Sequence, residues 1–111
     1  MLFPHESRLV MIVATDSMCD VCGTISLRLG GAHAAEFSRL FVAEHCRREG
    51  LGKQLVDHAE TVARRAGVGA LSCSMHPKNT DALAFYTKLG FSVAFQFVDG
   101  DLLLSRPVTP F

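Results

Sequence analysis

Between Leu51 and Ala66 the apolar residues Leu51, Leu55, Ala59, Val62 and Ala66 recur at spacings of four, four, three and four. That period places them on one face of a helix. Lys53, Asp57, Glu60, Arg64 and Arg65 fall largely off the stripe, so one face suits a core and the other suits water. Runs of strand character flank it: Ala35 to Val42 (AEFSRLFV) before, Ala70 to Met75 (ALSCSM) after. A strand, a helix and a strand in that order need a crossover and a parallel pairing. The chain is thereby expected to build a sheet with at least one parallel pair and a helix packed on it.

The remaining segments extend the sheet. Arg8 to Thr15 (RLVMIVAT) is rich in β-branched and apolar residues and reads as a strand. The polar stretch Asp16–Asp20 turns the chain, and Val21 to Leu29 (VCGTISLRL) supplies the return strand before Gly30-Gly31 breaks the pattern. Gly67 supplies a C-terminal stop for the first helix. His76-Pro77 ends the fourth strand. Asn79 or Thr80 can cap a second helix running through Leu89, which Gly90 closes. Phe91 to Val98 and Leu102 to Ser105 read as strands joined by Asp99-Gly100, a strong hairpin signal. The order is β-β-β-α-β-α-β-β: an α/β (α+β) domain over residues 1–111, with a mixed, mostly antiparallel sheet and two packed helices.

Composition narrows the function classes. The 111 residues are 49% hydrophobic and 20% charged, which suits one compact domain and is unlike a disordered chain. Eleven basic residues balance eleven acidic ones, so the broad positive field of a nucleic-acid binder is missing. The longest apolar run, Leu9 to Ala14, falls far short of the ~20 residues that cross a bilayer. No basic segment followed by a long apolar stretch opens the sequence, so no signal peptide is expected and the cytoplasm is the expected compartment. Cys19 and Cys22 form a CxxC, but zinc needs about four ligands and no second pair exists. A thioredoxin-like CxxC opens a helix, whereas this one falls in the first hairpin turn. All four cysteines, with Cys46 and Cys73, are expected to be reduced thiols, and no metal is expected.

Chemistry concentrates where the third strand meets the first helix. Arg47-Arg48-Glu49-Gly50-Leu51-Gly52-Lys53 sits at a helix N-terminus, whose first N–H groups lack intrahelical partners and whose dipole favours an anion. Gly50 and Gly52 let a phosphate approach the backbone, and Arg47, Arg48 and Lys53 add positive charge. The spacing matches neither a Walker A loop, since Arg47 stands where glycine is needed and Gln54 where Ser or Thr is needed, nor a dinucleotide fingerprint, which needs a small residue where Leu55 stands. A pyrophosphate cradle and an ordinary glycine-bearing helix entry with a solvated basic face remain as readings.

Asn79-x-x-Ala82-x-x-Phe85-Tyr86-x-Lys88-x-Gly90-Phe91 gives the second block. Read by residue type, Ala82 is small where a helix approaches a neighbour, Phe85 suits the core, Lys88 suits solvent and Gly90 suits a left-handed cap. Asn79 could cap the helix, cradle a ligand, or do both. Tyr86 carries a phenol, with ordinary pKa ~10, that can protonate a departing thiolate of pKa ~8.5; its alternative is a buried tyrosine bonded to backbone.

Together, Arg47-x-x-Gly50-x-Gly52, the preceding Glu36-Phe-Ser-Arg-Leu-Phe-Val42 and the second block resemble the GNAT family of N-acetyltransferases over about half the chain. The resemblance implies acetyl-CoA as co-substrate, held by Phe41, Val42, Arg47, Arg48, Glu49, Gly50, Leu51, Gly52, Lys53, Asn79, Ala82, Phe85 and Tyr86. The third strand's backbone would pair with the pantetheine arm. An uncharged amine would attack the thioester directly, an N–H near Val42 would stabilise the oxyanion, and Tyr86 would protonate the sulfur. Glu36 is the first candidate for general base, or else an ion-pair partner of Arg39 or Arg28. His33, His45 and His76 are alternatives, and His58 carries no functional expectation.

Members of the family open with a strand and two helices that this sequence does not show ahead of Arg8. In the family those helices shape the acceptor pocket, so the cofactor side is the better defined half. Uncovered apolar sheet is then expected, with a homodimer to cover it. Two further function classes stay open: a CoA-binding module without catalysis, and a fragment that completes its fold on another chain. The acceptor class is a small-molecule or peptide amine.

Overall fold

A computed structural model describes residues 8–30, 34–47 and 50–109. His33, Arg48 and Glu49 lie outside them, so the expectations placed on those three are not addressed below. The elements are β1 (Arg8–Thr15), β2 (Val21–Leu29), β3 (Ala35–Val42), α1 (Leu51–Arg65), β4 (Ala70–Met75), α2 (Thr80–Lys88), β5 (Ser92–Gln96) and β6 (Leu102–Pro107), with a short 3₁₀ turn at Glu44–Cys46. The order and the mixed sheet agree with the sequence expectation.

The six strands form one sheet in the order β1-β2-β3-β4-β6-β5. Every pairing is antiparallel except β3–β4. That parallel pair is the crossover which α1 spans.

The core lies where the helices cover the sheet. Ile25, Leu27, Phe37, Leu71 and Leu104 from the strands cluster with Leu55, Val56, Ala59 and Ala63 of α1. Gly23 makes the close approach of α1 to β2 feasible: a Cβ there would stand 2.8 Å from the Phe41 carbonyl oxygen and 2.9 Å from Leu55 Cδ1. Along β1, Val10, Ile12 and Ala14 pack against the core, while the alternate residues Leu9, Met11 and Val13 are exposed.

Both helices end the same way. Gly67 (φ 78°) and Gly90 (φ 93°) take the left-handed conformation that glycine adopts without a Cβ penalty. The next amides, Val68 and Phe91, donate back five residues to the Ala63 and Tyr86 carbonyls. That second bond explains why the strand expected over Phe91–Val98 is shorter. Phe91 belongs to the helix stop, and Phe97 donates to the Asp101 carbonyl as part of the closing turn. In the other direction, β6 outruns the expected Ser105, because it pairs with all of β4 from Ala70↔Pro107 to Met75↔Leu102.

Arg106 ties these parts together. It donates from Nη1 to the Leu89 carbonyl (2.8 Å) and from Nη2 to Glu60 Oε2 (3.3 Å), and it lies 5.0 Å from the centroid of the Phe91 ring. The interior of α1, the end of α2 and β6 are thus held at one point, which fixes α2 beside the sheet.

Candidate functional site

β3 and β4 pair over only two positions, Ala35↔Leu71 and Glu36↔Ser72. Beyond Glu36 the strands part, and β3 gains an edge with no neighbouring strand. A bulge reinforces the divergence: Thr24 faces Phe41 but Ser26 faces Ser38, so β3 carries one residue more than β2. Arg39 takes a left-handed φ of 52° there.

The ladder determines what that edge offers. Ala43 donates to the Cys22 carbonyl at 2.7 Å. Amides alternate between the two sides of a strand, so Val42 turns its N–H and C=O away from β2, towards the gap. The Val42 carbonyl accepts from Arg47 Nε at 3.1 Å. Its N–H is left on the open edge.

An open cleft of about 630 Å³ occupies the gap, lined by Leu40, Phe41, Val42, Cys46, Arg47, Gly50, Leu51, Gly52, Lys53, Asp81, Ala82, Phe85 and Tyr86. The two sequence blocks meet in its floor. A Cβ on Gly52 would stand 3.1 Å from Phe85 Cζ, so the first turn of α1 packs directly on α2. Phe85, which suits the core by residue type and the cofactor by resemblance, lines the cleft, half-buried between Gly52 and the Tyr86 ring.

Gly50 is the α1 N-cap at φ 76°, with no side-chain cap, and nothing lies within 4 Å of where its Cβ would be. The first intrahelical bond is Gln54 N–H to the Gly50 carbonyl. The amides of Leu51, Gly52 and Lys53 therefore face an uncapped helix end beside Arg47, which suits a phosphate. Lys53 lines the cleft too, but its Nζ pairs with Asp57 Oδ2 at 2.8 Å on the exposed side of α1.

Asn79 acts as the cap: its Oδ1 accepts from Ala82 N–H at 3.1 Å, and it does not line the cleft. Leu40, Cys46 and Asp81 do line it and carried no signal in the sequence.

Tyr86 is half-buried in an aromatic group, its ring 5.7 Å from Phe37, 5.2 Å from Phe85 and 5.7 Å from Phe91. Burial, and secondarily the nearby Cys73, push its phenol from 10.0 up to about 12. Cys73 is itself raised to about 12, by burial and then by Glu36, so it is neutral near pH 7 and burial alone governs Tyr86 there. Glu36 stands at the closed end of the gap, outside the cleft lining, six residues or roughly 20 Å along β3 from Val42. Arg28 lies directly across from it, yet among the described residues no ion pair to Glu36 forms.

The expectation that all four cysteines are reduced thiols is corrected. Cys22 and Cys46 are joined in a disulfide and are not free thiols; only Cys19 and Cys73 are free. Cys22 finds its partner 24 residues away in the 3₁₀ turn, a contact that CxxC spacing does not reveal. His45 stands beside both sulfurs. His76 Nδ1 accepts from the Lys78 amide in the loop after β4, away from the cleft.

Comparison with known proteins gives the family and the fold. The acetyltransferase (GNAT) family matches residues 2–91. The uncharacterized N-acetyltransferase YhdJ of Bacillus subtilis is 35% identical over 81 residues, 72% of this chain and 56% of that protein. The chain thus spans about half the length of the curated relatives it matches. Among solved structures, nourseothricin acetyltransferase superposes with a TM-score of 0.83 at 24% identity, over 98% of this chain and 71% of the other. The PaiA N-acetyltransferase of Thermoplasma acidophilum, in complex with coenzyme A, gives 0.79 at 23% identity, over 89% and 60%. Both share the fold.

Tyr86 is the sole tyrosine and tryptophan is absent, so phenolate absorbance reports this one side chain. A rapid pH jump of the folded protein is expected to give a midpoint near 12, against ~10 for the unfolded chain. The folded state holds the proton to higher pH, so this group's stability is intact below about pH 10 and is lost as pH rises through about 12. A folded-state midpoint at 10 or below would contradict the burial.

Proposed function

We propose that this chain, which belongs to the acetyltransferase (GNAT) family, transfers an acetyl group from acetyl-CoA to a primary amine of a small molecule or peptide. The observation that carries the reading is the continuous path from the open edge of β3 to the uncapped N-terminus of α1. A pyrophosphate fits the Leu51–Lys53 amides with Arg47, and an extended pantetheine arm fits the unpaired edge of β3. The PaiA complex with coenzyme A supports that use of a similar fold.

In this reading the amine's lone pair attacks the thioester carbonyl carbon and charge develops on its oxygen. The Val42 N–H is the named donor for that charge, held on a rigid strand before the reaction starts. When the C–S bond breaks, Tyr86 gives its proton to the sulfur. A phenol held near 12 stays protonated across the neutral range, so it is always ready to donate. It is also a weaker acid than an ordinary phenol, so the transfer depends on the proton leaving the amine. Glu36, the carboxylate the family resemblance suggests for that proton, stands roughly 20 Å along β3 from Val42 and outside the cleft lining, so the proton leaves the amine through water in the open cleft. Holding both reactants in register supplies much of the acceleration.

The chemistry requires no metal. Among the described residues no helix is long and apolar enough to cross a membrane. A second copy is the partner class for the exposed Leu9, Met11 and Val13 face. Light scattering tests that clause, and a monodisperse monomer would contradict it.

Thermal unfolding and thiol release together test the main claim. Acetyl-CoA at a hundredfold over its dissociation constant is expected to stabilise the native state by about 2.7 kcal/mol. The Arg47→Ala, Gly52→Asp double variant is expected to lose that gain. Tyr86→Phe is expected to keep it and to lose about a hundredfold or more in turnover across an amine panel. Full turnover in Tyr86→Phe would remove the proposed acid, and no stabilisation of the wild type at millimolar acetyl-CoA would remove the cofactor.

A further inference from the structure

Cys22, His45 and Cys46 take no part in the mechanism, yet they meet at one point. Cys22 sits on β2, and His45 and Cys46 close the 3₁₀ turn that carries the chain from β3 to Arg47. One ligand atom from each, two sulfurs and an imidazole nitrogen, lie within 4.8 Å of one another. Both cysteines are buried, whereas His45 is exposed.

We propose that Cys22, Cys46 and His45 form a binding site for one Zn²⁺ ion when the two sulfurs are reduced. The donor set argues for the ion. Two thiolates and an imidazole suit zinc, while Ca²⁺ and Mg²⁺ take oxygen ligands. Tetrahedral zinc, with Zn–S about 2.3 Å and Zn–N about 2.0–2.1 Å, separates neighbouring ligand atoms by roughly 3.5–3.8 Å. The three donors already lie within reach of that spacing. Their asymmetric burial supplies the rest of the coordination: the sulfurs come from the protein side, and the fourth position opens on the solvent side beside His45, for water.

The backbone that carries the ligands is fixed independently of the sulfur–sulfur bond. Ala43 N–H donates to the Cys22 carbonyl at 2.7 Å, and Cys46 N–H donates to the Ala43 carbonyl at 2.9 Å. These bonds hold the two cysteine Cα atoms, 5.7 Å apart, whichever state the side chains take. Reduction and metal binding are thus changes of side-chain chemistry on a standing frame.

The steps balance as follows. Two molecules of a small thiol, RSH, reduce the Cys22–Cys46 bond and become RSSR, leaving two cysteine thiols. Zn²⁺ then displaces both thiol protons, and neutral His45 donates a nitrogen lone pair. Oxidation reverses the first step and expels the ion, so disulfide and zinc are alternative clasps between β2 and the turn. Because Cys46 and Arg47 line the cleft, either clasp braces one wall of it.

The full chain, reduced with a non-thiol phosphine under chelator-free conditions, would be titrated with Zn²⁺ alone against a chromophoric chelator. Parallel samples would take Co²⁺ and be read by thiolate-to-metal charge-transfer absorption. Reduced wild type is expected to bind one equivalent of Zn²⁺ and to show the Co²⁺ band; the oxidised protein is expected to show neither. Cys22→Ser and Cys46→Ser are expected to lose the band, His45→Ala to weaken Zn²⁺ binding, and Cys19→Ser to bind as wild type. The oxidised wild type is a control that needs no substitution, so a variant that misfolds leaves the test intact. No stoichiometric Zn²⁺ binding by the reduced protein, or equal binding by the oxidised protein, would overturn the proposal.

Discussion

The parting of β3 from β4 after two paired residues is the constraint on which the rest of the site depends. A strand inside a sheet spends its amides on its neighbours. Here β3 does so on the β2 side only, and the bulge at Arg39 moves it further from β4. What remains is backbone hydrogen-bonding capacity facing an open cleft, and an unpaired backbone group is costly unless something binds it. Water satisfies it in the free protein, and an extended ligand with amides of its own can replace that water.

The helices convert this open edge into a shaped site. α1 begins nine residues after β3 ends, past the 3₁₀ turn, and its uncapped amides open on the same cleft as the free edge of β3. α2 closes the other side because Gly52 admits Phe85 at contact distance and Arg106 holds the end of α2 to α1 and β6. The Cys22–Cys46 link ties the turn between β3 and α1 back to β2. Each brace lies outside the proposed chemistry, yet each sets the relative position of the anion end and Tyr86.

Much of the fold was legible because its signals are local. The bounds of β1, β2, β3 and β4 agree with the sequence reading to the residue, since alternation and turn residues mark both ends. The glycines at 67 and 90 stop their helices as their positions suggest. Errors arose where a second interaction competes for a residue. Phe91 reads as strand but serves the helix stop. Cys22 and Cys46 could not be paired from spacing, because their contact comes from the long-range registry of β2 with the turn after β3. Glu36 was placed by analogy of position, and the splay leaves it at the closed end of the gap, away from the cleft lining.

Residue-resolved amide hydrogen exchange, with and without acetyl-CoA, tests the central claim most directly. The account predicts that ligand slows exchange at Val42 and at Leu51, Gly52 and Lys53, while the amides of β1 exchange unchanged. Acetyl-CoA binding that leaves those four amides as fast as in the free protein would contradict it, because the open strand edge and the helix end would then not be where the cofactor lies.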